Sequence, residues 1–294
     1  MLMDWMRRKN IYFILSGTLI VIGIFSLVKW GFNLGLDFKG GTIAEYQTEK
    51  DVVTDEIIKR FENTDIKVSS VQKTGDKKYF LQMDPLNEEQ KDKLRNSLKE
   101  VGGENLNELR YETVGPAIGP ELIKKTIYAA IIASVAILLW VAYQFKSIVF
   151  GASAILAMFH DTFILIGSFA FLGHFMGAEV DFLFVTALLT TLSFSVHDTI
   201  VVYDRVREMR TKTGGSMTEM ANRAITETMV RSLNNSFTIL FMLIALILLG
   251  GETIRWFAVA LFIGTVSGTY SSPFVAVPLL VIWDGFSKKL KARK

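Results

Sequence analysis

The sequence predicts an α-helical membrane protein with six transmembrane helices and one extracytoplasmic ferredoxin-like α+β domain between spans 1 and 2. Three observations carry the prediction. Half of the 294 residues are hydrophobic, and they fall in long runs rather than in alternation. Six runs, at about 11–29, 123–143, 148–172, 182–203, 233–250 and 254–282, approach the length of about 20 residues that crosses a hydrocarbon core. Between the first and second runs lies a polar stretch of roughly 90 residues in which strand-like and helix-like periods alternate.

The first run follows Arg7, Arg8 and Lys9 and has no small-residue cleavage pattern after it, so residues 1–30 read as a cytoplasmic segment and an uncleaved anchor. Residues 31–121 form the outer domain. GFNLGLDFKGGT (31–42) leads out of the bilayer, and Gly35, Gly40 and Gly41 flank Asp37 where the chain turns tightly. GTIAEYQ (41–47) alternates like a strand. DVVTDEIIKRFEN (51–63) sets apolar residues at 52, 53, 57, 58 and 61, which is helical spacing. KVSSVQKT (67–74) and KKYFLQMD (77–84) read as strands around Gly75-Asp76. NEEQKDKLRNSLKEVG (87–102) is helical, with Pro85 before it and Gly102-Gly103 at its end, and NELRYETVG (107–115) is a last strand. The order β-α-β-β-α-β is that of a ferredoxin-like unit. VGPAIGPEL (114–122) returns to the membrane, and its Gly115-Pro116 and Gly119-Pro120 pairs are expected to stop both helix and strand, making a stiff joint.

Residues 122–283 read as a five-helix bundle with a basic cytoplasmic loop at 204–232, and 284–294 as a basic tail. Lys146, then Arg205, Arg207, Arg210, Lys212, Arg223 and Arg231, then the Lys/Arg-rich end alternate with the turns 173–181 and 250–253, which carry no Lys or Arg. The positive-inside rule puts both termini in the cytoplasm and the polar domain outside. The basic loop reads either as a helix lying along the membrane surface or as a solvated connector whose charges set topology. In the sixth span, Gly264 and Gly268 form a small-xxx-small pattern for close helix packing, and Pro273 and Pro278 predict a kink.

The chain has no cysteine, which excludes disulfides, iron–sulfur clusters and thiol catalysis. No motif marks a cofactor, a catalytic constellation or a nucleic-acid surface, so the chain reads as a non-enzyme. The chemistry lies in the spans. SFSVHDTIVVYDR (193–205) places Thr191, Ser195, Asp198 and Arg205 on one helical stripe, with Asp198 inside the bilayer. A carboxylate there costs several kcal/mol unless it faces a bundle interior, water or a partner, and intramembrane acids of this kind serve ion pathways and proton relays. The alternative is a neutral, hydrogen-bonded structural Asp. Asp161, in the middle of the third span among small residues, carries the same two readings. His160 and His197 each precede an acid. Adjacent residues point about 100° apart on a helix, so a metal site would need the two pairs to meet across helices, and none is assigned. Arg231, at the head of the fifth span, either snorkels to headgroups or pairs with Asp198.

GLDFKGGT, VGPAIG, the His-Asp pair of the third span, SVHDTIVVYDRVRE and TETMVRSL, in this order and spacing, resemble the SecF family. Its members belong to the bacterial SecD–SecF accessory complex of the Sec export machinery, within the resistance–nodulation–division type of transporter. The resemblance covers nearly the whole chain. It implies pairing with SecD, action beside the SecYEG channel on an unfolded preprotein at the outer face of the bacterial plasma membrane, and proton-driven movement of the outer domains. It maps the family's proton-coupling residues onto Asp198, Arg231 and Asp161. His197 departs from the Asn expected at that position and adds a titratable neighbour. The competing readings are a small-molecule or lipid transporter of the same superfamily, an intramembrane metalloenzyme, and a passive scaffold for the translocon.

Overall fold

A computed structural model describes residues 3–62, 64–115, 118–145, 147–212 and 214–291. The chain divides into two compact units, Leu34–Tyr128 and a membrane unit of Met1–Asn33 with Ala129–Lys294.

The smaller unit is a split β-α-β fold. Strands β1 (Gly41–Gln47), β2 (Val68–Gly75), β3 (Lys78–Met83) and β4 (Asn107–Val114) form one antiparallel sheet in the order β2-β3-β1-β4. The crossover helices are α3 (Thr54–Phe61) and α4 (Glu88–Gly102), and they cover the face that buries Tyr46, Tyr79, Leu81, Ile57 and Leu94. Helix α4 starts with a capping box, in which Asn87 and Gln90 satisfy each other's backbone N–H groups. Tyr79 ties the sheet to the loop before α3: its hydroxyl accepts from the Val52 N–H and donates to Asp51, both at 2.7 Å. Asp51 also binds Lys73, and that bond, with the one from Tyr79, holds its carboxyl below the usual carboxylate range.

The glycine-rich segment at the start of this unit contains a four-residue helix, α2 (Leu36–Lys39), which the sequence reading lacks. Gly35 and Gly40 cap it, and Asp37 lies within it. Gly41 has φ +139°, and a Cβ there would meet the Leu36 side chain and the Met83 carbonyl at 2.9 Å. The joint after β4 differs from expectation. Gly115 follows the strand and Pro116 lies outside the described residues, but helix α5 (Ile118–Phe145) already includes Gly119 and Pro120. A proline in the first turn removes an N–H that has no intrahelical partner, so it does not stop the helix.

The membrane unit contains α1 (Lys9–Trp30) and α6 (Ile148–Met176), followed by α7 (Phe182–Lys212), α8 (Met217–Leu249), α9 (Glu252–Ser271) and α10 (Val277–Lys291). With α5, six helical segments among the described residues are long and apolar enough to cross a membrane. Helices α9 and α10 form one span, broken by a π-helical turn at Ser272–Ala276, where the kink was expected at Pro273. Small residues set the helix spacings. A Cβ on Gly264 would fall 2.2 Å from Cγ2 of Thr191, and one on Gly167 would fall 2.4 Å from Cα of Gly23. Helices α7 and α9, and α1 and α6, thus touch nearly backbone to backbone. At the far end of α1, Trp30 stacks on His174 of α6 at 4.4 Å.

The stretch 204–232 is not a loop, nor does it lie along the surface as a separate helix. Helix α7 runs on to Lys212, and α8 begins at Met217 with a Ser216–Glu219 capping box. The amphipathic face of the stretch is buried: Val206 and Met209 belong to the same hydrophobic cluster as Met217, Met220, Ala221 and Ile225. Arg205 bridges the two helices through Glu227 and also binds Glu208. The N-terminal segment docks on the same hairpin: Trp5 donates to Thr226 at 3.0 Å, and the Met6 N–H to Asn222 at 3.0 Å.

Candidate functional site

Helices α6, α7 and α9 each bring polar groups to one buried point. Asp161 of α6 is 5 % exposed and lies within hydrogen-bond distance of four side chains. Ser195 of α7 and Ser271 of α9 donate to Oδ2 at 2.5 and 2.6 Å. Ser267 of α9 donates to Oδ1 at 2.6 Å, and His160 Nδ1 lies 2.9 Å from the same oxygen. Ser267 and Ser271 are four residues apart and therefore share a helix face. The helices approach closely enough because Gly268, between them, sits 3.1 Å (at its absent Cβ) from the Cβ of Ser195.

Asp198 lies three residues beyond Ser195 on α7, is equally buried, and accepts from Ser232 of α8 at 2.5 Å. Ser232 continues into a hydroxyl chain: Ser236 donates to the Ser232 carbonyl at 2.9 Å and lies 2.6 Å from Thr269 Oγ1 of α9. Below Asp198, Thr199 meets Ser272 at 3.0 Å, and Tyr203 donates at 2.9 Å to the carbonyl of Ala276. Hydroxyls of α7 thus tie that helix to the π turn. Two acids at membrane depth are each held by hydroxyls alone or by hydroxyls and one imidazole, with no Lys or Arg bonded to either among the described residues.

The expected site residues separate into two groups. Asp161 and Asp198 are brought together through α7. Arg231 and His197 are exposed on the outside of the bundle. The α8 residue that meets Asp198 is Ser232, the neighbour of Arg231 and about 100° away from it on the helix. The two His-Asp pairs do not converge, since His160 is buried on α6 and His197 is exposed on α7. Sequence reasoning singled out Ser195 and His160 without joining them at Asp161, and it missed Ser232, Ser267 and Ser271 as partners of the acids. The signal was there in the four-residue spacing of Ser267 and Ser271, but only the fold shows which acid they face.

The chain matches the family model for the C-terminal region of the protein-export membrane proteins SecD and SecF over residues 93–285, and the SecD/SecF GG motif over residues 25–52. It is 40 % identical to the protein translocase subunit SecF of Thermobaculum terrenum over 300 aligned positions, covering 96 % of this chain and 94 % of the relative. It is 30 % identical to the protein translocase subunit SecDF of Bacillus subtilis, covering 96 % of this chain but 38 % of that longer one. Among solved structures it is similar to SecDF of Thermus thermophilus, described as a translocon-associated membrane protein, with a TM-score of 0.81 and 31 % identity. That match covers 96 % of this chain and 39 % of the other.

Proposed function

We propose that this chain, which belongs to the SecF family of protein translocase subunits, couples ion movement through its membrane bundle to protein export. As a family member it is a multi-pass accessory subunit of Sec protein export. The observation that carries the coupling is the pair of buried acids, Asp161 and Asp198, joined through one face of α7 and, among the described residues, bonded to no Lys or Arg. An unneutralised carboxylate at membrane depth is costly to ionise and is therefore suited to alternate between protonated and charged forms.

In this reading Asp198 carries the proton and Asp161 is its buried relay partner. Arg231 and His197, exposed in the isolated chain, supply charge at the face where a second membrane half docks. The SecDF name of the longer relatives supports SecD as that half. The wider assembly is the SecYEG channel with an unfolded preprotein leaving it on the outer side of the bacterial plasma membrane. Docking of residues 5 and 6 on the basic α7–α8 hairpin supports a common cytoplasmic side for both. A potential of about 100 mV supplies about 2.3 kcal/mol per charge moved, which shifts a two-state equilibrium by about fiftyfold. That is enough to bias an outer domain between two positions.

The test is export of a secreted reporter in cells depleted of the protein and rescued with wild type or Asp198→Asn, with membrane level and SecD association measured. The variant is expected to assemble and fail to restore export. Full rescue sinks the coupling reading and leaves a passive scaffold.

A further inference from the structure

We propose that His160 is a proton-transfer residue of this bundle, exchanging protons with Asp161 through Nδ1 and, through Nε2, with a groove between α1, α6 and α9. The inference rests on Asp161 being an ion-coupling acid, as read above.

An ionised carboxylate offers about four acceptor positions, and Asp161 has four donors on them: three serine hydroxyls and His160 Nδ1. A proton therefore reaches Asp161 through one of its own donors. Serine hydroxyls do not change charge near neutral pH, whereas an imidazole does. In the neutral tautomer that donates to a charged Asp161, Nδ1 carries the hydrogen and Nε2 is a bare acceptor. Among the described residues, His160 Nε2 is the one buried side-chain nitrogen or oxygen without a hydrogen-bond partner. Such an atom costs stability, and a well-packed bundle retains it where it has another use.

His160 lines a groove of about 370 Å³ whose walls include Leu15, Leu19, Ile164, Phe262 and Val266. Its polar lining is Ser168, Ser267 and Tyr270. The Tyr270 ring stands 6.3 Å from that of His160. The Tyr270 hydroxyl donates to the carbonyl of Tyr12 at 3.0 Å and accepts from Ser16 at 3.4 Å. A polar line thus runs from His160 along α1 toward its basic start at Lys9. The titratable groups around the imidazole are Asp161 on its own helix, Tyr270 from α9, Tyr12 from α1 by way of Tyr270, and Asp198 from α7 one turn beyond Ser195.

The step balances. A hydronium that reaches Nε2 from the groove side gives up its proton there, and the imidazolium passes its Nδ1 proton to Asp161 Oδ1. A neutral imidazole protonated at Nε2 and a neutral carboxyl remain. Rotation of the ring presents an N–H to Asp161 again once the acid has discharged.

The experiment co-reconstitutes the full chain with SecD in liposomes and follows proton flux with an entrapped pH dye. It compares wild type, His160→Gln, His160→Ala and Asp161→Asn, with thermal melting as the control for folding. Flux is expected to fall about tenfold or more in both His160 variants, and imidazole in the buffer is expected to restore His160→Ala in part. Wild-type flux in His160→Gln overturns the proposal, because a hydrogen bond to Asp161 would then suffice. A loss in His160→Ala that imidazole leaves unchanged also overturns it. Wild-type flux in Asp161→Asn instead removes the coupling reading itself.

Discussion

Replacing Asp161 by Val removes the acceptor for three serine hydroxyls and one imidazole nitrogen. In a membrane bundle each such bond stabilises by about 0.6 kcal/mol, because groups freed from it find other partners. Ser271 illustrates this, since the carbonyl of Gly268 already lies 3.3 Å from its hydroxyl. Four bonds at that value make the loss for Asp161→Val between about 2 and 3 kcal/mol. Asp161→Asn keeps one oxygen acceptor, and its amide can donate to hydroxyls that rotate to accept, so its loss is about one bond, or about 0.6 kcal/mol. The assay is unfolding in mixed micelles followed by tryptophan fluorescence, for which the chain carries five tryptophans, run beside the export assay. Asp161→Asn is expected to stay near wild type in stability yet fail in export, while Asp161→Val loses both. A Val variant as stable as wild type refutes the claim that the cage holds α6, α7 and α9 together.

Gly264→Ala drives a methyl into Thr191 and is expected to cost about 1–3 kcal/mol; Thr191→Ala in the same chain should return much of that loss in the same unfolding assay. Tyr79→Phe strands the Val52 N–H and should destabilise the outer unit by about 1–3 kcal/mol, read by hydrogen exchange across residues 41–83. The folded-state pKa of Asp51 lies below its unfolded value, so the stability it contributes is present above the unfolded value of about 3.9 and is lost as pH falls through the lower folded one. Asp51→Asn should therefore flatten the acid limb of outer-unit unfolding below about pH 4. Arg231→Gln, at an exposed position, should leave bundle stability within about 0.5 kcal/mol, so any export defect it causes is electrostatic rather than structural.

The six spans and the β-α-β-β-α-β order were legible because each rests on local periodicity that burial then enforces. The stretch 204–232 was misread because charge was taken for solvent. Its apolar residues in fact keep helical spacing on both sides of residues 213–216, and Met209, Met217 and Met220 fall in one buried cluster of two long helices. At the site, a lone acid in an apolar run is visible in one dimension, so Asp161 and Asp198 stood out. Their partners did not, because Ser232, Ser267 and Ser271 are ordinary residues until α6, α7, α8 and α9 converge. Arg231 shows the limit of adjacency. It lies one residue from the true contact, and one residue is enough to turn a side chain from the bundle interior to its outside.

The π turn at Ser272–Ala276 makes the last span behave as a crank. One residue more than an α-helical turn needs is inserted between Ser271, which binds Asp161, and Ala276, whose carbonyl binds Tyr203. Each residue of an α-helix advances the phase by about 100°. If the wide turn relaxes into ordinary helix, everything from Val277 onward rotates by about that angle against Ser267 and Ser271. Helix winding and the donor set of a buried acid are then a single mechanical coordinate, and a torque on the C-terminal end of α10 is felt as a change in how tightly Asp161 is held.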